Sequence, residues 1–274
     1  MTKIGNTKIG ILGAAGRMGQ MIAKEILSGA HGAATLAAAG EHGESTALGR
    51  DIGALCGFGD CGVRIISDRD AVFAACDVLI DFTTPSATMD NTAAAHASGK
   101  ALVIGTTGLG AVEDAAITAA AARAAVLQAA NMSVGVNVLL SVVEQLAARL
   151  GPKDFDIEIF EAHHKHKVDA PSGTALALAE AAAKGRGVKL DEAMVPARFG
   201  QIGPRPEGAI GMSVFRGGDV IGDHTVTFAA LGERIEIGHR ASDRALFARG
   251  AVRAAMWLAG KAPGRYTMRD VLGL

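Results

Sequence analysis

Cysteine is scarce: Cys56, Cys61 and Cys76 are the only three in 274 residues. An odd number in a chain too long to need covalent staples implies reduced, intracellular thiols rather than a disulfide framework. Cys56 and Cys61 lack a second ligand pair at zinc-like spacing, so no metal is expected there. Aromatics are almost as rare; nine Phe, one Trp and one Tyr leave few platforms for stacking nucleobases. There is no excess of charge either. Lys plus Arg is 27 against 28 Asp plus Glu, a net −1, which excludes a global positive field for nucleic acid or an anionic membrane. The opening MTKIGNTKIG has no apolar core of a signal peptide. One uncharged window, 124–143, is about long enough to cross a bilayer, but Gln128, Asn131, Ser133, Gly135, Asn137 and Ser141 interrupt it. A buried strand followed by a core helix is expected instead, in a soluble cytoplasmic protein. What the chain does have is a globular balance, 49% hydrophobic and 20% charged, with 36 glycines, nearly twice the usual ~7% share. Its length suits one large domain or two modest ones.

Up to about residue 132, β-type runs at 8–12, 35–39, 77–82, 101–105 and 126–130 alternate with Ala-rich helical stretches at 19–27, 86–98 and 111–125. Such repetition predicts an α/β domain with a parallel sheet covered by helices on both faces. The pattern then changes. A helix over 136–150 is stopped by Gly151-Pro152; a strand at 156–161, a helix at 174–184 and three alternating strands at 211–216, 224–229 and 233–239 predict an α+β region. Between them, 200–211 is long and rich in Gly and Pro, a candidate mobile segment or intersubunit arm. A last helix is expected from Ser242-Asp243 to about 258.

The first strand runs into Gly13-Ala14-Ala15-Gly16-Arg17-Met18-Gly19 and directly on into a helix. Glycines there permit a tight turn and let backbone N–H groups approach a pyrophosphate at the positive helix end. Ala15 stands where a second glycine would complete G-x-G-x-x-G. Glu41, 22 residues after Gly19 and following the second strand, is placed to accept from an adenine-ribose diol. Gly105-Thr106-Thr107-Gly108 and Ala129-Ala130-Asn131-Met132 follow the next strands at the carboxyl ends, where open α/β sheets bind ligands. The densest chemistry is Glu161-Ala162-His163-His164-Lys165-His166-Lys167-Val168-Asp169-Ala170-Pro171-Ser172-Gly173-Thr174, with three of the eight histidines within four residues. Lys165 and Lys167 would repel a metal cation, and a solvated basic turn is the plain alternative. However, Ser172 is suited to cap the helix that follows. A helix N-terminus beside a lysine and imidazoles makes a pocket for an anion next to an acid/base pair.

The run EAHHKHKVDAPSGTA resembles the signature of the 4-hydroxy-tetrahydrodipicolinate reductase (dihydrodipicolinate reductase) family of diaminopimelate and lysine biosynthesis. The resemblance extends through GAAGRMG, Ile80-Asp81-Phe82-Thr83, IGTTG, AANMSVGVN, Phe215-Arg216-Gly217-Gly218-Asp219, Gly222-Asp223-His224 and Ala251-Val252-Arg253. It implies a Rossmann-like dinucleotide domain over 1–132 completed by 241–274, and a substrate-binding and oligomerisation domain over 133–240, usually in a homotetramer. It further implies NADH or NADPH held by Gly13, Ala14, Ala15, Gly16, Arg17, Met18, Glu41, His42, Gly105, Thr106, Thr107, Ala129, Ala130, Asn131 and Met132. A small dicarboxylate substrate would be held by His164, Gly173 and Thr174, with His163 and Lys167 as the catalytic pair. No metal, nucleic acid or membrane partner is implied. His42 stands where some members have arginine, and Thr84 where some have a basic residue.

On this reading a hydride passes to a cyclic imine dicarboxylate and a proton follows from His163 or Lys167. Two rivals are another two-domain dehydrogenase sharing only the first half, and a nucleotide-sensing regulator without catalysis. An acylating dehydrogenase needs a nucleophilic cysteine, and a sensor needs no acid/base pair.

Overall fold

In a computed structural model, residues 6–274 are described; residues 1–5, the first half of the segment where no signal peptide is expected, lie outside them. Cα packing divides the chain into two compact units, 1–134 with 245–273, and 135–244.

The first unit contains β1 (Thr7–Leu12), α1 (Arg17–Leu27), β2 (Ala34–Gly40), α2 (Ile52–Cys56), β3 (Ile65–Ile66), α3 (Arg69–Ala74), β4 (Val78–Asp81), α4 (Pro85–Ser98), β5 (Ala101–Ile104), α5 (Ala111–Ala121) and β6 (Ala125–Gln128). The central strands are short, continuously buried apolar runs, as a sheet covered on both faces demands. All seven strands pair in parallel in the order β12-β6-β5-β4-β1-β2-β3, where β12 is Gly264–Tyr266. The order reverses at β1, which lies between β2 and β4. Loops leaving the carboxyl ends of β1 and β4 therefore diverge and open a crevice.

The second unit contains α6 (Val134–Arg149, entering from the first unit's last residue), β7 (Asp156–His163), α7 (Gly173–Arg186), α8 (Leu190–Ala193), β8 (Met194–Val195), β9 (Ile210–Arg216), β10 (Gly222–Ala230) and β11 (Glu233–Ala241). Its sheet order is β11-β10-β7-β9-β8, antiparallel from β11 to β7 and parallel from β7 to β8. Leu139, Val143, Ile157, Ile159, Leu178, Met212, Val226 and Phe228 form the core between one sheet face and α6 and α7. The opposite face bears Phe160, Ser213, Thr225 and Thr227. The chain then returns to the first unit through α9 (Ala245–Leu258), β12 and α10 (Met268–Leu272). The window 124–143 is β6, a loop and the start of α6, and no helix among the described residues is long and apolar enough to cross a membrane.

The elements expected from the sequence appear within a few residues of their bounds, whereas α2, β3, α3, α8, β8, β12 and α10 were not among them. The helix expected to be the last, α9, begins at Ala245 and not at Ser242-Asp243, and α10 follows it. The segment 200–211 is irregular up to β9 and is held at Arg205, which donates to the carboxylates of Asp156 and Glu158 and to the carbonyls of Ile157 and Ala209. Arg198 adds a two-pronged contact to Glu158.

Candidate active site

In the first unit the crevice is a cavity of about 560 Å³ whose lining includes Gly13, Gly16, Glu41, His42, Arg69, Phe82 and Thr83. The glycine turn has its shape for steric reasons. Gly13 has φ +77°, and a Cβ there would sit 2.8 Å from the Phe82 carbonyl oxygen. A Cβ on Gly19 would lie 2.2 Å from the Gly13 oxygen, so α1 approaches its own turn only through glycine. No side chain caps α1, and no acid occupies its first turn. Its N–H groups are thus left to an anion. The Glu41 carboxylate folds back on the turn, accepting from Ala15 N–H at 2.9 Å and His42 N–H at 3.1 Å. An uncapped helix start, a turn with no room for a Cβ at Gly13 or Gly19 and an acid following β2 fit a dinucleotide. Gly13 to Met18 would hold its pyrophosphate and Glu41 its ribose.

Of the other expected cofactor residues, Gly105, Thr106 and Thr107 leave β5, and Ala129, Ala130, Asn131 and Met132 leave β6; they are not part of this cavity's lining. The Ala14 and Met132 side chains are buried in the core. The buried Asp81, at the end of β4, ties adjacent loops together. It accepts from the Thr83 N–H and hydroxyl (3.1 and 2.6 Å), the Thr88 hydroxyl (2.9 Å) and the Thr106 hydroxyl (3.3 Å). Asp81 belongs to a quoted motif, yet its role was not read from sequence; a buried acid at a strand's carboxyl end was the available signal.

In the second unit the inward face of β7 runs Ile157, Ile159, Glu161, His163, so an apolar core gives way to charge at the strand's end. His163 Nδ1 meets Glu161 Oε2 at 2.6 Å. Arg216 donates twice to the same carboxylate, at 2.7 and 2.8 Å. Burial pushes the Glu161 carboxyl up, but Arg216, His163 and the Ser172 N–H outweigh it and hold it below the usual carboxylate range. Ser172 caps α7 as expected, its hydroxyl accepting from Ala175 N–H at 3.2 Å and meeting His224 Nε2 at 3.1 Å. Burial, helped by the charge of His163, pushes His224 down to about 4. Lys167 Nζ pairs with Asp169 at 2.8 Å.

His164, Lys165, His166 and Arg244 line a second, open cavity of about 710 Å³ together with Gly218 and Asp219. Arg244 reaches His164 Nε2 at 3.4 Å. Partial burial, then Arg244 and the neighbouring cations, push His164 below its ordinary value. Gly173 and Thr174 stand at the start of α7 and are not in this lining. Sequence reasoning missed Arg216, His224 and Arg244 as partners of the cluster. Glu161 and His163, two apart on a strand, share a face, which was a usable signal.

Fold and glycine turn together define a dinucleotide-binding protein. The family models for the N-terminal and C-terminal parts of dihydrodipicolinate reductase match residues 7–132 and 135–272. The chain belongs to the dihydrodipicolinate reductase family. It is 50% identical over 274 residues to 4-hydroxy-tetrahydrodipicolinate reductase 1 of Mesorhizobium japonicum, covering 100% of both chains. It is 52% identical over 268 residues to the 4-hydroxy-tetrahydrodipicolinate reductase of Alkalilimnicola ehrlichii, covering 98% of this chain and 99% of that one. A solved dipicolinate-bound dihydrodipicolinate reductase from a Paenisporosarcina species shares the fold, with TM-score 0.76 at 21% identity over 96% of this chain and 98% of that one.

Proposed function

We propose that this chain reduces 4-hydroxy-tetrahydrodipicolinate to tetrahydrodipicolinate in diaminopimelate and lysine biosynthesis. The observation that carries this reading is the junction of an imidazole, His163, with the start of a long helix, Ser172 to Thr174, through one carboxylate. That junction supports reading His163 as a proton carrier and the helix start as donors for an anion. The substrate's 4-hydroxyl leaves as water, and NADH or NADPH, when bound, would supply the hydride that reduces the resulting unsaturated ring. His163, aided by Lys167, gives the proton that completes the reduction, while Gly173, Thr174 and His164 hold a substrate carboxylate. The dinucleotide domain is 1–132 with 241–274 and the substrate domain 133–240. Both cofactors are used, NADH at least as well as NADPH, because Glu41 suits a free ribose diol and would repel a 2′-phosphate. The sheet face bearing Phe160 joins copies into a homotetramer, and the enzyme works in the cytoplasm.

The decisive experiment follows NADH or NADPH absorbance with purified protein while the unstable substrate is generated in place from pyruvate and aspartate semialdehyde. Oxidation requiring all components is expected. Binding of dinucleotide without oxidation of either form would favour a sensor and reject the reading.

A further inference from the structure

Glu161 is 0% exposed, and a buried carboxylate must be compensated by charge and hydrogen bonds. Arg216 alone meets both of its oxygens. The carboxylate nevertheless also meets His163 Nδ1 at 2.6 Å and accepts from Ser172 N–H at 3.0 Å, groups that neutralisation does not require. Strand register creates the arrangement. Arg216 of β9 stands opposite His163, and His224 of β10 stands opposite Glu161. We propose that Glu161, backed by Arg216, is a positioning residue: it commits the Nδ1 proton of His163 and, through Ser172, sets the start of α7, so that one carboxylate aligns the proton donor with the substrate anchor. This rests on the proposed roles of His163 and of residues 172–174.

With Nδ1–H committed, the exchangeable proton of the reaction resides on Nε2. A Cβ on Gly222 would come within 3.0 Å of that nitrogen, so a glycine leaves its surroundings uncrowded. The charged and titratable groups facing His163 are Glu161 on its own strand, Arg216 on β9, His224 on β10 with ring centroids 5.2 Å apart, and His164 and Lys167 in the following turn. His224, pushed down to about 4, stays neutral near neutral pH and does not compete as a cation for Glu161. A carboxylate behind an imidazole fixes tautomer and ring orientation in the same way in other acid/base sites.

The test is long-range ¹H–¹⁵N NMR of histidine-labelled full-length protein, with His163 assigned by the resonance lost in His163→Gln, beside steady-state kinetics of Glu161→Gln. In the parent, neutral His163 is expected to carry its proton on Nδ1. In Glu161→Gln the proton is expected to redistribute toward Nε2, with kcat falling about 10- to 100-fold, the pH profile displaced toward acid and NADH affinity kept. Glu161→Asp should restore part of kcat. The parent measurement stands even if the variants fold poorly. A neutral parent protonated on Nε2, or a tautomer unchanged in Glu161→Gln, overturns the positioning role. Full kcat in His163→Ala with the Nδ1–H tautomer present in the parent overturns instead the reading of His163 as the proton donor.

Discussion

The two units prepare for charged ligands by opposite means. In the first, the instruments are backbone: glycines that admit no Cβ, an uncapped helix start and loops diverging at the reversal of strand order. In the second they are side chains, with Glu161, His163, Arg216, Ser172 and His224 locked together at the end of one strand. The first unit is therefore sensitive to added atoms and the second to removed ones.

The largest effect should come from removal. His163→Ala and Lys167→Ala are expected to lower kcat by about 10²- to 10⁴-fold with dinucleotide affinity nearly unchanged. A change in KM alone would show electrostatic attraction instead. Addition in the first unit should follow. Gly19→Ala gains about 1 kcal/mol of helix propensity, yet its Cβ would lie 2.2 Å from a backbone oxygen. A net loss of about 1 to 3 kcal/mol in urea unfolding is expected, with dinucleotide binding weakened and dicarboxylate binding kept. If Gly19→Ala binds dinucleotide like the parent, the contrast between the units collapses.

The pH dependence of stability tests the second unit's burial. His224 takes up a proton near 6.5 when unfolded but only at about 4 when folded. Its contribution is therefore present above about 6.5 and is lost as pH falls toward about 4, by up to about 3 kcal/mol. Glu161, held low, loses its own contribution as pH falls from the ordinary carboxylate value toward its lower folded one, so its window lies on the acid side of that of His224. Urea unfolding across this range should show a flatter acid limb for His224→Gln; an equal slope would mean that His224 is not the group responsible. Thr174→Val should weaken pyridine-2,6-dicarboxylate binding by about 1 to 3 kcal/mol in calorimetry and leave NADH binding alone, if its hydroxyl meets a carboxylate. The smallest change is expected for His42→Arg, a shift of kcat/KM toward NADPH of a few-fold, on the order of 1 kcal/mol, read from kcat/KM with both cofactors.

Strong periodicity made most elements readable from sequence: the buried runs of β4, β5 and β6 and the alternation along β10 have no other good explanation. The stretch from Glu41 to Cys76 was not readable. Its elements, α2, β3 and α3, are too short for any period to emerge, and one side chain organises much of it. Asp51 caps α2 and accepts from the N–H groups of Gly53, Ala54, Cys61 and Gly62, which hold its carboxyl well below the usual range despite some desolvation. The glycine turn, Glu41 and the His/Lys run were visible as local motifs. Arg216 and His224 are separated in sequence from Glu161 and Ser172 by 55 and 52 residues, so their partnership existed only once β9 and β10 were in register with β7.

The return of the chain to its first unit has a consequence for synthesis. Ala248, Ala251, Val252, Ala255 and Leu258 of α9 belong to the same core as Ile9, Ile22, Val103 and Leu127, and β12 completes the sheet beside β6. A ribosome must deliver the whole second unit before these pieces emerge, so for that interval the nascent first unit lacks α9 and bears β6 as an open edge. Such edges invite pairing with other chains. The second unit, being continuous in sequence, is free to fold during that wait, and the final 30 residues act as a closing clasp whose loss would leave a sticky nascent sheet rather than a smaller working domain.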